Sequence, residues 1–433
     1  MKKIIQLKLK FLAKKIIKKY NPKIIGITGS VGKTSAREAI WTVLSSKYNV
    51  RQSIKNYNNE IGVPLTIIGD TAPGKSIFGW FKIFKHALKL IIFKDKKYPE
   101  ILILEMAVDR VGDMEYLNSI LKCDIGVVTM IGSSHLEFFG TIDKIKKEKE
   151  LLIKNLKKSG WAILNYDNKE TRQMINASKV KVLTYGFEER ANIKAQETKF
   201  NFLNENKIKN NLTDLNGVNF KINYNGSSVP ILLPNAISNN NIYSALSAIS
   251  VGIACDINLI NISKALCNLK ALSGRMNLLK GIKNTIIIDD TYNSSPQSCF
   301  SVLDVVKKMP LKNNATKFVV FGDILELGKN SEEEHRKVGN YLVKSRIDKL
   351  IVVGERSRDI ARGAKNAGMK KNNIFHFSNT DLAGRFIQER IKQGDLILIK
   401  GSQGMRMEKI VKEIMAEPLR AKELLVRQDN QWI

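Results

Sequence analysis

The stretch GITGSVGKTSAREAI, residues 26–40, follows the apolar pair Ile24 and Ile25 and runs into a segment with helical spacing. Gly29 and Gly32 allow a tight turn whose backbone N–H groups point inward, and the helix behind it adds its positive N-terminal end. Phosphate is the natural guest of such a loop. Lys33 would reach the outer phosphates, and the Thr34 hydroxyl would hold Mg2+. The strict pattern G-x-x-x-x-G-K-[ST] asks for glycine where this chain has Ile27. The strand before the loop and the helix after it nevertheless supply the context a phosphate loop needs.

The same order of strand, loop and helix recurs along the chain. ILILE (101–105), DIGVVTMI (124–131), WAILNYD (161–167) and KVLTYGF (181–187) read as strands, with helical stretches between several of them. This alternation predicts a mainly parallel α/β sheet. Residues 192–234 are polar, Asn-rich and alternating, which predicts a small β excursion before a helix at NNNIYSALSAISVGIA (239–254). A second series begins after SGRMN (273–277), with strands near residues 284–290, 317–323, 349–355 and 395–401. The expected architecture is α/β: a basic amphipathic segment (1–22), a central phosphate-loop domain with a parallel sheet (23–272), and a C-terminal doubly wound, Rossmann-like domain (273–433).

A chain of 433 residues, 43% hydrophobic and 26% charged, is long enough for two or three buried cores and is not of disordered composition. Its four cysteines are scattered, without a C-x-x-C pair or a secretory leader. That composition excludes a disulfide framework and fits a reducing cytoplasm. The net charge of +30 favours anionic partners in general, but no RNA-recognition signature, finger spacing or basic-aromatic interleaving singles out nucleic acid, and none is expected. Charge is patterned only at the front. MKKIIQLKLKFLAKKIIKKYNPK holds nine lysines and no acid, with Ile5, Leu9, Leu12 and Ile16 on one helical stripe. Such a helix would lie on an anionic membrane face, at the inner side of the membrane, or cover apolar surface of its own domain. Lysines interrupt every apolar run well short of the roughly 20 residues of a spanning helix. SIFGWFKIFKHALKLIIFKDKKY (76–98) is a second basic, aromatic-rich stretch, read as core, partner contact or membrane contact.

Two further residues draw attention by position. Glu105 closes the strand ILILE, and the C-terminal edge of a parallel sheet presents side chains to the ligand crevice. A carboxylate there would hold a metal beside the phosphates. His135 follows another strand in the loop GSSHLEFFG and would reach the same edge. Lys149, in the run KKEKE, reads by itself as one more solvated lysine.

Taken together, GITGSVGKTS (26–35), KNYNNEIGVPLTIIG (55–69), ILEMAVDRVGDMEYL (103–117), GSSHLEFFGTIDKIKKEKE (132–150), SGRMN (273–277), IDDTYNSSPQS (288–298), FGDILELG (321–328) and KGSQGMRME (400–408) resemble the Mur ligase superfamily over nearly the whole chain. DDTYNSSP and FGDILELG are similar to its MurF branch. In that family the loop is spaced T-G-x-x-G-K-T, which Thr28 to Thr34 match, so Ile27 is no defect. The resemblance implies that Thr28, Gly29, Ser30, Gly32, Lys33, Thr34 and Ser35 bind ATP, and that Glu105 and His135 hold Mg2+ with Thr34. Lys149 matches the lysine the family carbamylates, making a third, carboxylate-like ligand. Asn241 matches an adenine-side residue, Arg275 and Asp290 contact nucleotide, and Asn58, Asn59, Tyr292 and Asn293 lie toward substrate.

The implied activity is ATP-dependent amide ligation in peptidoglycan precursor synthesis, adding D-Ala-D-Ala to a UDP-MurNAc-tripeptide through an acyl phosphate, with ATP enclosed between two α/β domains. Lys33, Lys149, Glu105 and His135 would carry it. Two departures stand out. The family's His-Asn and Asn of the central helix are Asn240, Asn241 and Ser244 here. Only about 25 residues precede the loop, so the UDP-binding domain of the family is expected to be missing, its role falling to other surfaces or a partner chain. The alternatives are a Mur-like ligase for a different carboxylate and amine, or a nucleotide-binding scaffold without catalysis.

Overall fold

The computed structural model describes residues 2–54, 57–132, 136–202, 215–311, 314–429 and 432. The chain divides into two compact units: Met1–Thr198 with Asn219–Leu232 and Asn239–Leu269, and Lys199–Val218 with Leu233–Ser238 and Lys270–Ile433.

In the first unit, β1 (Lys23–Thr28), β2 (Val50–Gln52), β3 (Ile101–Glu105), β4 (Ile125–Val128), β5 (Trp161–Asn165) and β6 (Lys181–Gly186) pair in the order β2-β3-β1-β4-β5-β6. The pairings among them are parallel, with Ile25 opposite both Ile103 and Ile125. The strands read as continuous apolar runs because both faces are covered. The helices of this unit are α1 (Lys2–Tyr20), α2 (Lys33–Leu44), α3 (Gly62–Ile68), α4 (Ile77–Ile92), α5 (Asp113–Asn118), α6 (Leu136–Phe139), α7 (Ile142–Lys154), α8 (Lys169–Gln173), α9 (Asn239–Ala254) and α10 (Leu259–Leu266). α2 and α9 pack on each other and on the sheet, while α7 packs on β1 and β4 beside α5. The expected β excursion is present as β7 (Ile193–Phe202), β8 (Leu215–Tyr224) and β9 (Ser227–Leu233), and it extends the same sheet to nine strands, β7 running parallel to β6.

α1 is a full helix whose stripe Leu9, Leu12, Ala13 and Ile16 is buried against α3 and α4. Burying a Leu or Ile side chain contributes roughly 1.5–3 kcal/mol, which seats a helix otherwise rich in lysine. Of the two sequence readings, this stripe covers its own domain. Among the described residues no helix is long and apolar enough to cross a membrane.

The second unit holds β10 (Asn277–Lys280), β11 (Ile286–Asp290), β12 (Lys317–Gly322), β13 (Lys349–Val353), β14 (Ile374–Phe377) and β15 (Leu396–Lys400) in the order β10-β11-β15-β12-β13-β14. All neighbours are parallel except β10, an antiparallel edge strand next to β11 that periodicity had not signalled. Alternate strand residues feed two cores. Ile288, Val319, Phe321, Val352 and Leu398 face one cluster with α11 (Pro296–Lys308), α12 (Ser331–Lys344) and α13 (Arg358–Asn366). Ile287, Val320, Ile351 and Ile399 face the other, with α14 (Thr380–Arg390) and α15 (Glu408–Ile414). Helices on both faces make this unit doubly wound. All four cysteines are free thiols, three of them buried.

Candidate active site

β1 ends at Thr28, and the chain turns through Gly29 and Gly32 into α2. Gly29 has φ 149°, and a Cβ there would lie 2.0 Å from Thr129 Oγ1, so only glycine fits. Gly32, at φ 86°, is the N-cap of α2 and carries no side chain to cap it. The first turn of α2 also lacks an acid. No side chain of α2 itself caps its first backbone N–H groups, whose partial positive charge faces the loop. The loop is pinned from outside. Thr129 Oγ1 donates to Val31 O at 2.6 Å, Thr28 Oγ1 to Met106 O at 2.8 Å, and Ser30 N to Met130 O at 2.6 Å. Lys33 Nζ folds back to donate to Gly29 O at 2.7 Å.

Glu105 sits at the end of β3, buried, and gathers three partners, two from α2 and one from the segment before α3. Thr34 Oγ1 donates to its Oε2 at 3.2 Å, Asn58 Nδ2 donates to its Oε1 at 3.2 Å, and Arg37 NH1 stands 3.5 Å from Oε2. Arg37 was missed in the sequence. It lies three positions after Thr34 on α2, hence on the same helical face, which is the signal that would have found it. Its second carboxylate is Glu38, at 2.8 Å.

Lys149 overturns its reading as a solvated lysine. It is 1% exposed, because α7 turns Ile145, Glu148, Lys149, Leu152 and Ile153 inward. Burial, with the Lys33 ammonium adding to it, pushes the Lys149 pKa down to about 7, while Asp109 and Glu148 oppose the shift. Glu148 itself is committed to the N-terminus of α5, accepting from Gly112 N at 3.1 Å and Met114 N at 2.8 Å. His135 lies outside the described residues, as do Ser133 and Ser134. Asn168, also unforeseen, clamps the segment leading to them: its Oδ1 accepts from Ile131 N at 3.0 Å and its Nδ2 donates to Ile131 O at 3.1 Å. Among the described residues no group of three or more His, Cys, Asp or Glu side chains converges as a metal site.

Other expected residues take local roles. Asn59 Oδ1 accepts from Ile61 N and Gly62 N, at 3.2 and 3.0 Å, and so shapes the entry to α3. Asn241 lies in the first turn of α9. Ser244, one turn on, is buried and donates to Asn240 O at 2.9 Å.

In the second unit the four sequence motifs meet, FGDILELG through Leu325 N, which donates to Ser402 Oγ at 2.8 Å. Asp290 Oδ1 accepts from Met276 N at 3.1 Å, and its Oδ2 accepts from Lys400 Nζ at 2.7 Å. Lys400 is 1% exposed and also donates to Asn293 O at 2.8 Å. The Arg275 guanidinium lies 4.0 Å over the Tyr292 ring. Asp289 is fully buried, and burial raises its pKa to about 6 against hydrogen bonds from Thr291 and Gly274 N. Arg427, which no motif announced, ties the same segment down: it donates to Tyr292 O at 3.1 Å and pairs with Glu408 at 2.8 Å.

Comparison with known proteins agrees with these motifs. Residues 85–252 match the profile of the Mur ligase middle domain and residues 274–403 that of the Mur ligase, glutamate ligase domain. The chain is 29% identical over 413 residues to the UDP-N-acetylmuramoyl-tripeptide–D-alanyl-D-alanine ligase of Bacillus subtilis, covering 95% of this chain and 80% of that protein. A MurF crystal structure from Acinetobacter baumannii superposes with a TM-score of 0.75 at 25% identity, covering 94% of this chain and 79% of that one. The MurF ligase of Thermotoga maritima in complex with ADP gives a TM-score of 0.74 at 24% identity, covering 96% of this chain and 84% of that one. These coverages do not confirm the expectation that a UDP-binding domain is missing.

Proposed function

Starting from a chain that carries a Mur ligase middle domain followed by a Mur ligase glutamate ligase domain, we propose that it is an ATP-dependent ligase joining D-alanyl-D-alanine to the terminal carboxylate of a UDP-N-acetylmuramoyl-tripeptide. The observation that carries the reading is a glycine loop at the N-terminus of α2 whose Thr34 is bonded to the strand-end Glu105, with a buried amine, Lys149, in the electrostatic reach of Lys33. A nucleotide-binding scaffold has no use for a buried lysine of depressed pKa beside its phosphate loop.

In the reaction, an oxygen of the peptide carboxylate attacks the γ-phosphorus of ATP and the bond to ADP breaks, leaving an acyl phosphate. The dipeptide amine then attacks the acyl carbon and loses a proton, and phosphate departs with the C–O electron pair. The loop N–H groups and the end of α2 hold phosphate oxygens. Lys33 neutralises charge on the transferred group. The Thr34 hydroxyl and Glu105 carboxylate, 3.2 Å apart, are hard oxygen donors that suit Mg2+, and Lys149 would join them as its carbamate, together with His135. Mg2+ bound there supplies further charge neutralisation for phosphoryl transfer. At weakly alkaline pH Lys149 is an uncharged amine, the form that adds CO2. In the second unit, Arg275, Asp290, Tyr292 and Asn293 are assigned to nucleotide and substrate contact, and the Lys400–Asp290 bridge and Arg427 hold that segment in place. Asn241 is assigned to the adenine side, and Asn58 and Asn59 to the substrate side.

Phosphate release from ATP, measured with UDP-MurNAc-tripeptide and D-Ala-D-Ala each omitted in turn, tests the assignment. Release that requires both supports it; release indifferent to both overturns it.

A further inference from the structure

α4 has two apolar faces where a surface helix needs one. Ile83, Ala87 and Leu90 are buried against the first unit. Ile77, Phe81, Leu88 and Ile92, spaced by four, seven and four, form a second stripe that is exposed, with Phe78 beside it. Phe78 is 68% and Phe81 63% exposed. α1, which packs against α4, repeats the arrangement: opposite its buried stripe it exposes Ile4, Leu7 and Phe11. The two helices are tied along their length. Lys19 Nζ donates to Leu90 O and Ile91 O at 3.0 and 2.9 Å, and the exposed Lys8 reaches over the Phe84 ring at 5.7 Å, closing the seam from outside.

The two helices carry charge of one sign, and the neighbouring acids Asp70 and Glu60 are bonded to His86 of α4 and Gln6 of α1. Neither helix contains an acid. Lys14, Lys15 and Lys18 on α1 and Lys82, Lys85 and Lys89 on α4 are exposed among the apolar side chains. Lys82 lies over the Phe78 ring at 4.9 Å and Lys15 over the Phe11 ring at 5.5 Å. Apolar side chains of this size, interleaved with long cations and free of acids, suit a surface with anionic oxygens at one depth and hydrocarbon just below it. A folded protein partner would need its own apolar patch ringed by acids; a bilayer offers both layers everywhere.

We propose that the joint outer face of α1 and α4 docks the protein on the headgroup region of an anionic bilayer, inserting Phe11, Phe78 and Phe81 while the lysines engage lipid phosphates. The proposal does not rest on the ligase assignment, and its test uses no ligase substrate.

The test is cosedimentation of the full chain with phosphatidylcholine vesicles and with vesicles also containing phosphatidylglycerol. Binding is expected only with the anionic lipid, and it weakens with salt. The double variants Phe78→Ser/Phe81→Ser and Lys82→Glu/Lys85→Glu change exposed side chains only and are expected to lower vesicle affinity at least about tenfold. Lys370→Glu/Lys371→Glu, exposed lysines of the second unit, alter net charge equally and should leave affinity unchanged. Equal loss in both lysine pairs would reduce the effect to net charge and overturn the proposal. So would absence of binding to anionic vesicles, or unchanged binding by the Phe variant. Sedimentation velocity covers the remaining case: a dimer abolished by Phe78→Ser/Phe81→Ser, with no vesicle binding, would make this face a contact between copies of the chain instead.

Discussion

Thr34 and Glu105, 71 positions apart in the chain, meet through a hydrogen bond in which the Thr34 hydroxyl donates to Glu105 Oε2 at 3.2 Å. One residue opens α2 and the other closes β3, so the parallel pairing of β1 with β3 sets the distance between them. On the proposed reading, this pair would hold Mg2+. Glu105→Gln keeps the size and accepting oxygen but removes the charge. Turnover is expected to fall about a hundredfold or more, with the loss partly recovered at raised Mg2+, measured by phosphate release. Unchanged turnover would remove Glu105 from the site.

Gly29→Ala tests the loop. Its Cβ would stand 2.0 Å from Thr129 Oγ1 and 3.2 Å from Met130 N, on a backbone at φ 149°. The loop must shift, and ADP affinity by calorimetry is expected to drop more than about tenfold. Adding Thr129→Ala removes the nearest atom and should restore part of the binding.

Lys149 gives a pH signature. Its folded pKa, lowered to about 7, lies below the ordinary lysine value of 10.5. Between these values the unfolded chain binds more protons than the folded one, so stability rises with pH across that window, and below about 7 the full penalty of burying the cation is present. Thermal melts in CO2-free buffer should therefore show Lys149→Met more stable than wild type at pH 6, with the gap narrowing toward pH 10. With 13C-bicarbonate, the carbamate signal should grow from pH 6 to 8 and vanish in Lys149→Met. Turnover in Lys149→Ala should fall at least about a hundredfold; full activity that ignores bicarbonate would remove the carbamate from the reading.

Lys400 and Asp290 form a bridge in which the side chains are 2% and 13% exposed. Lys400→Met strands the carboxylate and is expected to cost about 3–5 kcal/mol in urea unfolding. Lys400→Met/Asp290→Asn should recover much of that loss, since no buried charge is then left alone.

Much of this was legible in the sequence. The strands of both units fall where the apolar runs stand, and the helix expected at residues 239–254 is α9, Asn239–Ala254. These features depend on local periodicity. The antiparallel β10, the joining of β7, β8 and β9 to the main sheet, and the second apolar face of α4 were not legible. Each depends on which neighbour covers which side. Arg427 escaped for a related reason: its partner Glu408 lies 19 positions away, and no short motif links them.

By itself, the sequence determined the phosphate loop and the alternation of strands and helices. A backbone at positive φ demands glycine at Gly32, and strand and helix impose their own spacing, so both constraints are written in adjacent letters. Only the tertiary structure decided that Lys149 is a buried amine. In KKEKE it is indistinguishable from its neighbours, and its pKa falls because α7 lays it against the sheet, where water cannot solvate a cation. The outer faces of α1 and α4 are likewise set by packing, because the two helices bury their other stripes against α3 and each other.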